Sequence, residues 1–189
     1  ILIGAPYNDQ LGVNAGKTYL FLGASLAAMG PGLSIGLGSA DYMFLGEDSN
    51  DYSGERIASA GDVDGDGFAD ILIGARGNGE GGYAAGKAYV FLGSTLNSVD
   101  LGTSFLLADA DYGFLGQAPE DGAGASVAGA MDIDDDGRSD ILIGAPGHDQ
   151  VGVDAGKSYI ILGSTLTMSP PGTVISLDSA DHMLIGETA

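Results

Sequence analysis

Carboxylates are concentrated in two short stretches of the chain, and their spacing is the most specific chemical signal in the sequence. The segment "GDVDGDGFADILIGA" (61–75) places Asp at positions 1, 3, 5 and 9 of a loop that begins at Asp62, with Gly67 at position 6. A second loop, beginning at Asp132, repeats this spacing with Gly137 at position 6, where glycine permits a sharp turn. Carboxylates about 4 Å apart repel by roughly 4 kcal/mol per pair at an effective dielectric constant of about 20, so such a loop needs a counterion.

A divalent cation bound by oxygen ligands would remove this repulsion. Calcium accepts about six to eight oxygens in flexible geometry, whereas magnesium requires a near-ideal octahedron, so two calcium sites are predicted. The alternative, acidic turns without a metal, leaves the charge uncompensated. The predicted ligands are the carboxylates of Asp62, Asp64, Asp66 and Asp70 with the Phe68 carbonyl, and the carboxylates of Asp132, Asp134, Asp136 and Asp140 with the Arg138 carbonyl.

The residue at position 12 distinguishes these loops from the helix-flanked calcium loop, which needs a bidentate glutamate there. Ile73 and Ile143 occupy that position, inside apolar runs typical of strands. We therefore expect each loop to join two strands, with its last aspartate at the start of the second one. Asp135 stands where the first loop has Gly65, and its added charge either tightens the second site or faces water.

The strands follow from an internal repeat with a period of 70 residues, marked by "ILIGA" at Ile1, Ile71 and Ile141. Within a unit, short runs rich in Ile, Val, Tyr and Phe are bounded by Gly, Asp, Asn or Pro, which indicates strands. In the central unit we predict strands at 56–60, 71–74, 87–92 and 112–115. The stretch between the third and fourth of these allows either a short helical turn or an extra edge strand.

Four antiparallel strands at a fixed period predict an all-β fold built from the blades of a β-propeller. The first unit lacks its first strand, which leaves about 2.75 blades and about eleven strands, to be completed by other chains or by further sequence. We expect a partial blade (strands 2–4) with its connecting loop at 1–55, a complete blade with the first calcium loop at 56–125, and a blade with the second calcium loop at 126–189.

Composition excludes several classes of partner. The net charge is −20, from 26 acidic and 6 basic residues among 189, which argues against binding nucleic acid or an anionic membrane surface. There is no cysteine for a disulfide, a structural zinc site or thiol chemistry. The apolar runs are too short for membrane insertion.

Several short stretches resemble enzymatic motifs, but their residues or their neighbouring elements do not fit those motifs. "GVNAGKT" (12–18) and "GVDAGKS" (152–158) lack the first glycine of a phosphate-binding loop and precede strands. "GNGEGG" (77–82) precedes a strand as well, and "GASVA" around Ser126 lacks a glycine of the nucleophile elbow. We therefore expect a protein that is not an enzyme.

The two acidic loops and the "ILIGAP" at the start resemble FG-GAP repeats, which form the propeller of integrin alpha subunits and occur in bacterial relatives. The resemblance covers essentially the whole chain. It departs from the family pattern at Ser53-Gly54 and Ala123-Gly124, which replace Phe-Gly, and at Arg76, which replaces proline. It implies structural calcium on one face of a propeller that usually has seven blades, with partner-binding loops on the opposite face.

These observations favour a calcium-stabilised extracellular module for adhesion or recognition, part of a larger surface or secreted protein, since millimolar calcium occurs outside cells. The alternatives are a repeat array that polymerises into an extracellular filament and an accessory domain of a secreted hydrolase. Expected partners are a protein or glycan ligand and neighbouring repeats or chains. The side chains best suited to contact a ligand are Tyr7, Tyr52, Arg76 and Tyr83.

Overall fold

The computed structural model describes residues 1–187, so the last two residues of the expected third unit (126–189) lie outside it. The strands are β1 (Leu2–Ala5), β2 (Lys17–Leu20), β3 (Tyr42–Leu45), β4 (Arg56–Gly61), β5 (Asp70–Ala75), β6 (Lys87–Phe91), β7 (Thr103–Leu106), β8 (Tyr112–Leu115), β9 (Ser126–Met131), β10 (Asp140–Ala145), β11 (Lys157–Ile161), β12 (Thr173–Ser176) and β13 (His182–Ile185). Short helices are α1 (Gly23–Met29), α2 (Gly93–Asn97) and α3 (Gly163–Thr167), with 3-10 turns at Leu37–Ser39, Leu107–Asp109 and Leu177–Ser179.

These strands form three sheets, one for each unit of the sequence repeat. The strand order is β1-β2-β3-β7 in the first sheet, β4-β5-β6-β8-β12 in the second and β9-β10-β11-β13 in the third. The strands predicted in the central unit coincide with β4, β5, β6 and β8 to within a residue or two at each end. The predicted all-β class with incomplete propeller blades is confirmed.

The prediction of about eleven strands is corrected to thirteen in the described part of the chain. In the second and third units, the stretch before the last strand of the unit contains both alternatives, a short helix followed by an extra strand. These extra strands, β7 and β12, leave their own unit and pair in parallel with the outer strand of the preceding sheet, at Tyr42↔Thr103 and Tyr112↔Thr173. The blades are therefore not purely antiparallel and four-stranded.

The core lies between neighbouring sheets, and β5 shows why its sequence is apolar throughout. Ile71 and Ile73 point into a cluster with Phe44 and Phe91, while Leu72 points to the opposite face, into a cluster that contains Ile141. Successive side chains of a strand point to opposite faces, so a sheet packed on both faces needs a continuous apolar run.

Small residues are buried at two positions where the family pattern is not followed, Ser53 and Ala123, at 1% and 0% exposure. A Cβ added at Gly74 would overlap the carbonyl oxygen of Gly124, in the connection that leads to β9, so the backbones meet where glycine is required. Within residues 1–187, none of the helices is long and apolar enough to cross a membrane.

Candidate metal centre

Each acidic loop joins the first two strands of its sheet, as predicted: the first acidic loop (62–70) runs from β4 into β5, and the second acidic loop (132–140) runs from β9 into β10. The carboxylate at position 1 organises the turn. Asp62 Oδ1 accepts from the N–H groups of Gly65 (2.8 Å) and Asp66 (3.0 Å), and its Oδ2 accepts from the N–H of Gly67 (2.9 Å). Asp132 accepts in the same way from the N–H groups of Asp136 and Gly137, at 3.0 and 2.8 Å.

The carboxylate at position 9 is fully buried and links its loop to the neighbouring helix. Asp70 Oδ2 accepts from the Val63 N–H at 2.7 Å, and its Oδ1 accepts from the Gly93 N–H at the start of α2, also at 2.7 Å. Asp140 makes the equivalent bonds to the N–H groups of Ile133 (2.7 Å) and Gly163 (2.9 Å). Burial raises the pKa of Asp70 to about 6, against the opposing effect of its two backbone donors.

In each acidic loop, three of the four predicted carboxylate ligands lie close together. In the first acidic loop, carboxylate oxygens of Asp62, Asp64 and Asp70 lie within 4.8 Å of one another, and in the second those of Asp132, Asp134 and Asp136 do so. Asp66 and Asp140 are not part of these trios. Asp66 Oδ1 accepts from the Phe68 N–H at 2.8 Å. The carbonyl oxygens of Phe68 and Arg138 remain predicted ligands.

Arg138 distinguishes the second acidic loop electrostatically. Its Nη1 lies 3.1 Å from Asp136 Oδ2, so a guanidinium already engages one predicted ligand. In the first acidic loop the same position is Phe68, whose side chain is 48% exposed.

The aspartate at position 3 of each acidic loop has a raised pKa. Partial desolvation raises the pKa of Asp64, and the charges of Asp66 and Asp62 raise it further. Desolvation and the charge of Asp136 likewise raise the pKa of Asp134. A cluster of hard oxygen donors that opposes its own negative charge fits a divalent cation.

Three recurring aspartates outside the loops also have a function that sequence reasoning missed. Asp41, Asp111 and Asp181 each directly precede a strand and also accept hydrogen bonds from the start of the preceding short helix. Asp111, for example, accepts from the Leu92 N–H (2.7 Å) and the Thr95 hydroxyl (2.8 Å). Their recurrence at the repeat period, together with a Ser or Thr 16 residues earlier, is the signal that could have revealed this role.

The candidate partner residues lie at the opposite ends of the strands from the acidic loops, and three of the four come together. The Arg76 guanidinium carbon lies 5.1 Å from the centre of the Tyr52 ring, and Tyr7 meets Tyr52 edge-on at 6.0 Å. Glu55 holds Arg76 Nε at 2.6 Å. Tyr83 stands on a separate loop and is 79% exposed.

The FG-GAP repeat family model matches residues 53–91 and 123–161, and each match contains one acidic loop. The chain is an FG-GAP repeat protein. It is 33% identical to integrin alpha-IIb of Homo sapiens over 163 residues, which is 81% of this chain and 14% of that protein. Integrin alpha-5 of Xenopus laevis is 32% identical over 176 residues, 90% of the chain and 15% of the relative. The FG-GAP chain thus spans about one seventh of the length of these curated relatives.

Proposed function

We propose that this FG-GAP chain is a calcium-stabilised module for adhesion or recognition within a larger surface or secreted protein. The observation that carries the proposal is the convergence of three carboxylates within 4.8 Å in each of two repeats, on loops that join the first two strands of their sheets. Apart from the donated strands β7 and β12, the sheets support assigning residues 1–55, 56–125 and 126–189 to successive blades.

Bound calcium would supply the positive charge that lets all the carboxylates of a loop ionise together. Asp62 and Asp64 would bind through side-chain oxygens, while Asp70 would use lone pairs left free by its two backbone donors. Asp66 and the Phe68 carbonyl would complete the first site after a small rearrangement. With a Kd of about 10 μM and about 1 mM free calcium, each site adds roughly 2.7 kcal/mol to the free energy of unfolding. Such calcium levels favour an extracellular location.

The recognition surface would be the cluster of Tyr7, Tyr52 and Arg76, because aromatic and arginine side chains dominate binding energies at protein interfaces. A protein or glycan ligand fits this chemistry better than nucleic acid, given the net charge of −20.

A second candidate, a polymerising array, is favoured by one specific observation. The outer strands β3 and β8 each accept a parallel strand from the following unit, whereas the equivalent strand of the third sheet, β13, has none among residues 1–187. Residues 33–36 correspond to the donated strands by the 70-residue period and are not in a sheet. Either a further repeat of a longer chain or another copy of this chain could pair with β13 in the same way. Fibres that grow with concentration would support the array, and a discrete particle would support the recognition module.

Calorimetric titration with calcium, together with thermal unfolding in calcium and in EDTA, tests the metal assignment. We expect about two calcium ions per chain, a higher melting temperature in calcium, and a weaker effect of magnesium. Asp64→Ala should lower the melting temperature only in calcium. Asp109→Ala, which removes an exposed carboxylate outside both loops, is the control and should leave calcium binding intact. Equal loss by Asp64→Ala in calcium and in EDTA would contradict the assignment.

A further inference from the structure

The two acidic loops have different surroundings although their ligand aspartates and central glycine occupy the same positions. Val63, at position 2 of the first acidic loop, is fully buried in a cluster with Ile141, Ile161 and Leu166 of the third unit. Ile133, the equivalent residue of the second acidic loop, is 50% exposed. The first acidic loop is therefore anchored on the following unit by an apolar side chain between two predicted ligands.

A pair of hydrogen bonds across the units holds the first predicted ligand of this loop. The Asp62 N–H donates to Ser139 Oγ at 3.2 Å, and the Ser139 N–H donates to the Asp62 carbonyl oxygen at 2.7 Å. Ser139 itself belongs to the second acidic loop and directly precedes Asp140. The Asp62 backbone is thus fixed by a residue that lies 77 positions further along the chain.

The backbone of the second acidic loop is less favourable. Met131 and Asp135 have φ angles of 64° and 59°, whereas the corresponding residues of the first acidic loop are Gly61 and Gly65, for which this region carries no steric cost. Formal charge does not separate the loops, because the added carboxylate of Asp135 is offset by the guanidinium of Arg138.

We propose that the third unit preorganises the first calcium site and that occupancy of this site strengthens the contact between the two units. With glycines at 61 and 65, the first site also binds calcium more tightly than the second. The inference rests on the proposed calcium function. A loop that is already ordered loses less conformational entropy when the ion binds. Binding linkage is reciprocal, so the contact that favours the ion is favoured by the ion to the same degree.

Calcium titrations on variants that retain one site test this coupling. Asp134→Ala removes the second site and Asp64→Ala the first, so each background reports one affinity. In the Asp134→Ala background, we expect Ser139→Ala or Val63→Ala to weaken calcium binding about tenfold, which is within the usual range of couplings between sites. In the Asp64→Ala background, the matched change Ile133→Ala should alter the affinity less than about twofold, because that side chain is half-exposed.

Amide hydrogen exchange supplies an independent readout and shows whether each variant is folded. Calcium should slow exchange at residues 139–141 in the Asp134→Ala protein, and Ser139→Ala should reduce that protection. A first site unaffected by both Ser139→Ala and Val63→Ala in folded protein would refute the coupling while leaving calcium binding intact, and equal affinities of the two sites would refute the difference between them. Absence of calcium binding to the wild-type chain would instead refute the proposed function, and the coupling with it.

Discussion

The Asp70→Asn substitution separates the two roles of the buried position-9 carboxylate, which are metal binding and hydrogen bonding. Both oxygens of Asp70 accept from backbone N–H groups, of Val63 and Gly93, at 2.7 Å. An asparagine keeps one acceptor oxygen and turns its NH2 group toward the other donor. One charge-assisted bond, with a net contribution of about 1.5–3 kcal/mol, is lost, and an N–H group is left unsatisfied in a buried position.

We therefore expect Asp70→Asn to lower the free energy of unfolding by about 2–4 kcal/mol in EDTA. For a chain of this length, that corresponds to a fall in melting temperature of about 4–16 °C. In calcium the loss should be greater, because the first ion no longer adds its roughly 2.7 kcal/mol. Urea denaturation followed by circular dichroism, with and without EDTA, measures both terms.

Asp64→Asn is the matched control, because it removes a predicted ligand that is only partly buried and keeps the oxygen that accepts from the Asp66 N–H. In EDTA it should be at least as stable as the wild type, because it removes a charge that its neighbours repel, and it should lose stability only in calcium. If Asp70→Asn were also neutral in EDTA, the hydrogen bonds to Val63 and Gly93 would not stabilise the loop, and the dual role would be refuted.

Three further predictions concern pH, charge and backbone packing. In EDTA, the free energy of unfolding should fall as pH rises from about 4 to about 6. The folded-state pKa of Asp70 exceeds its ordinary value of 3.8, so the folded state holds the proton more tightly than the unfolded state. Urea titrations at several pH values should show this slope, and should show it reversed in calcium, because calcium binding releases protons. Arg138→Gln should strengthen calcium binding at the second site up to about fivefold, because it frees Asp136 from a partly exposed ion pair. Calorimetry in the Asp64→Ala background measures this affinity, and an unchanged affinity would show that the guanidinium has no effect on the site. Gly74→Ala should cost about 1–3 kcal/mol through overlap with the Gly124 carbonyl, whereas Gly38→Ala, which adds a methyl group in open space, should be nearly neutral in the same denaturation assay.

The strands of each unit could be predicted because their apolar runs are short, recur at a fixed period and end at glycine or aspartate. β5 illustrates this, since the run that follows Asp70 is buried on both faces. The acidic loops could be placed for the same local reason, as their spacing fits a strand-flanked turn. The contacts of Ser139 with Asp62 could not, because they join residues 77 positions apart and leave no local pattern. The only signal was Val63 itself, an apolar side chain between two carboxylates.

The extra strands show why the number of strands was underestimated. β7 has the sequence TSFL, which is too short to indicate a strand by itself, and its partner β3 belongs to the preceding unit. Its stability comes from Phe105, which stacks on Phe44 of the first unit at 5.5 Å with the rings inclined by 10°. The pairing is a tertiary property of the assembled units, so it becomes visible only when both sheets are in place.

Contacts between consecutive units therefore run in both directions along the chain. A unit sends a strand back to the preceding sheet, as β7 does to β3, and its acidic loop packs forward onto the next unit, as Val63 does against Ile141. In a simple linear array each repeat contacts only its neighbours, and the free energy of unfolding is close to a sum of terms for the repeats and for the interfaces between them. Here the backward strand begins in the connection that follows α2, whose first N–H is held by Asp70 of the same unit's acidic loop. Asp70 therefore connects the acidic loop to α2, and α2 leads along the chain to the donated strand β7. A cation in that loop would act on both the backward strand pairing and the forward packing of Val63.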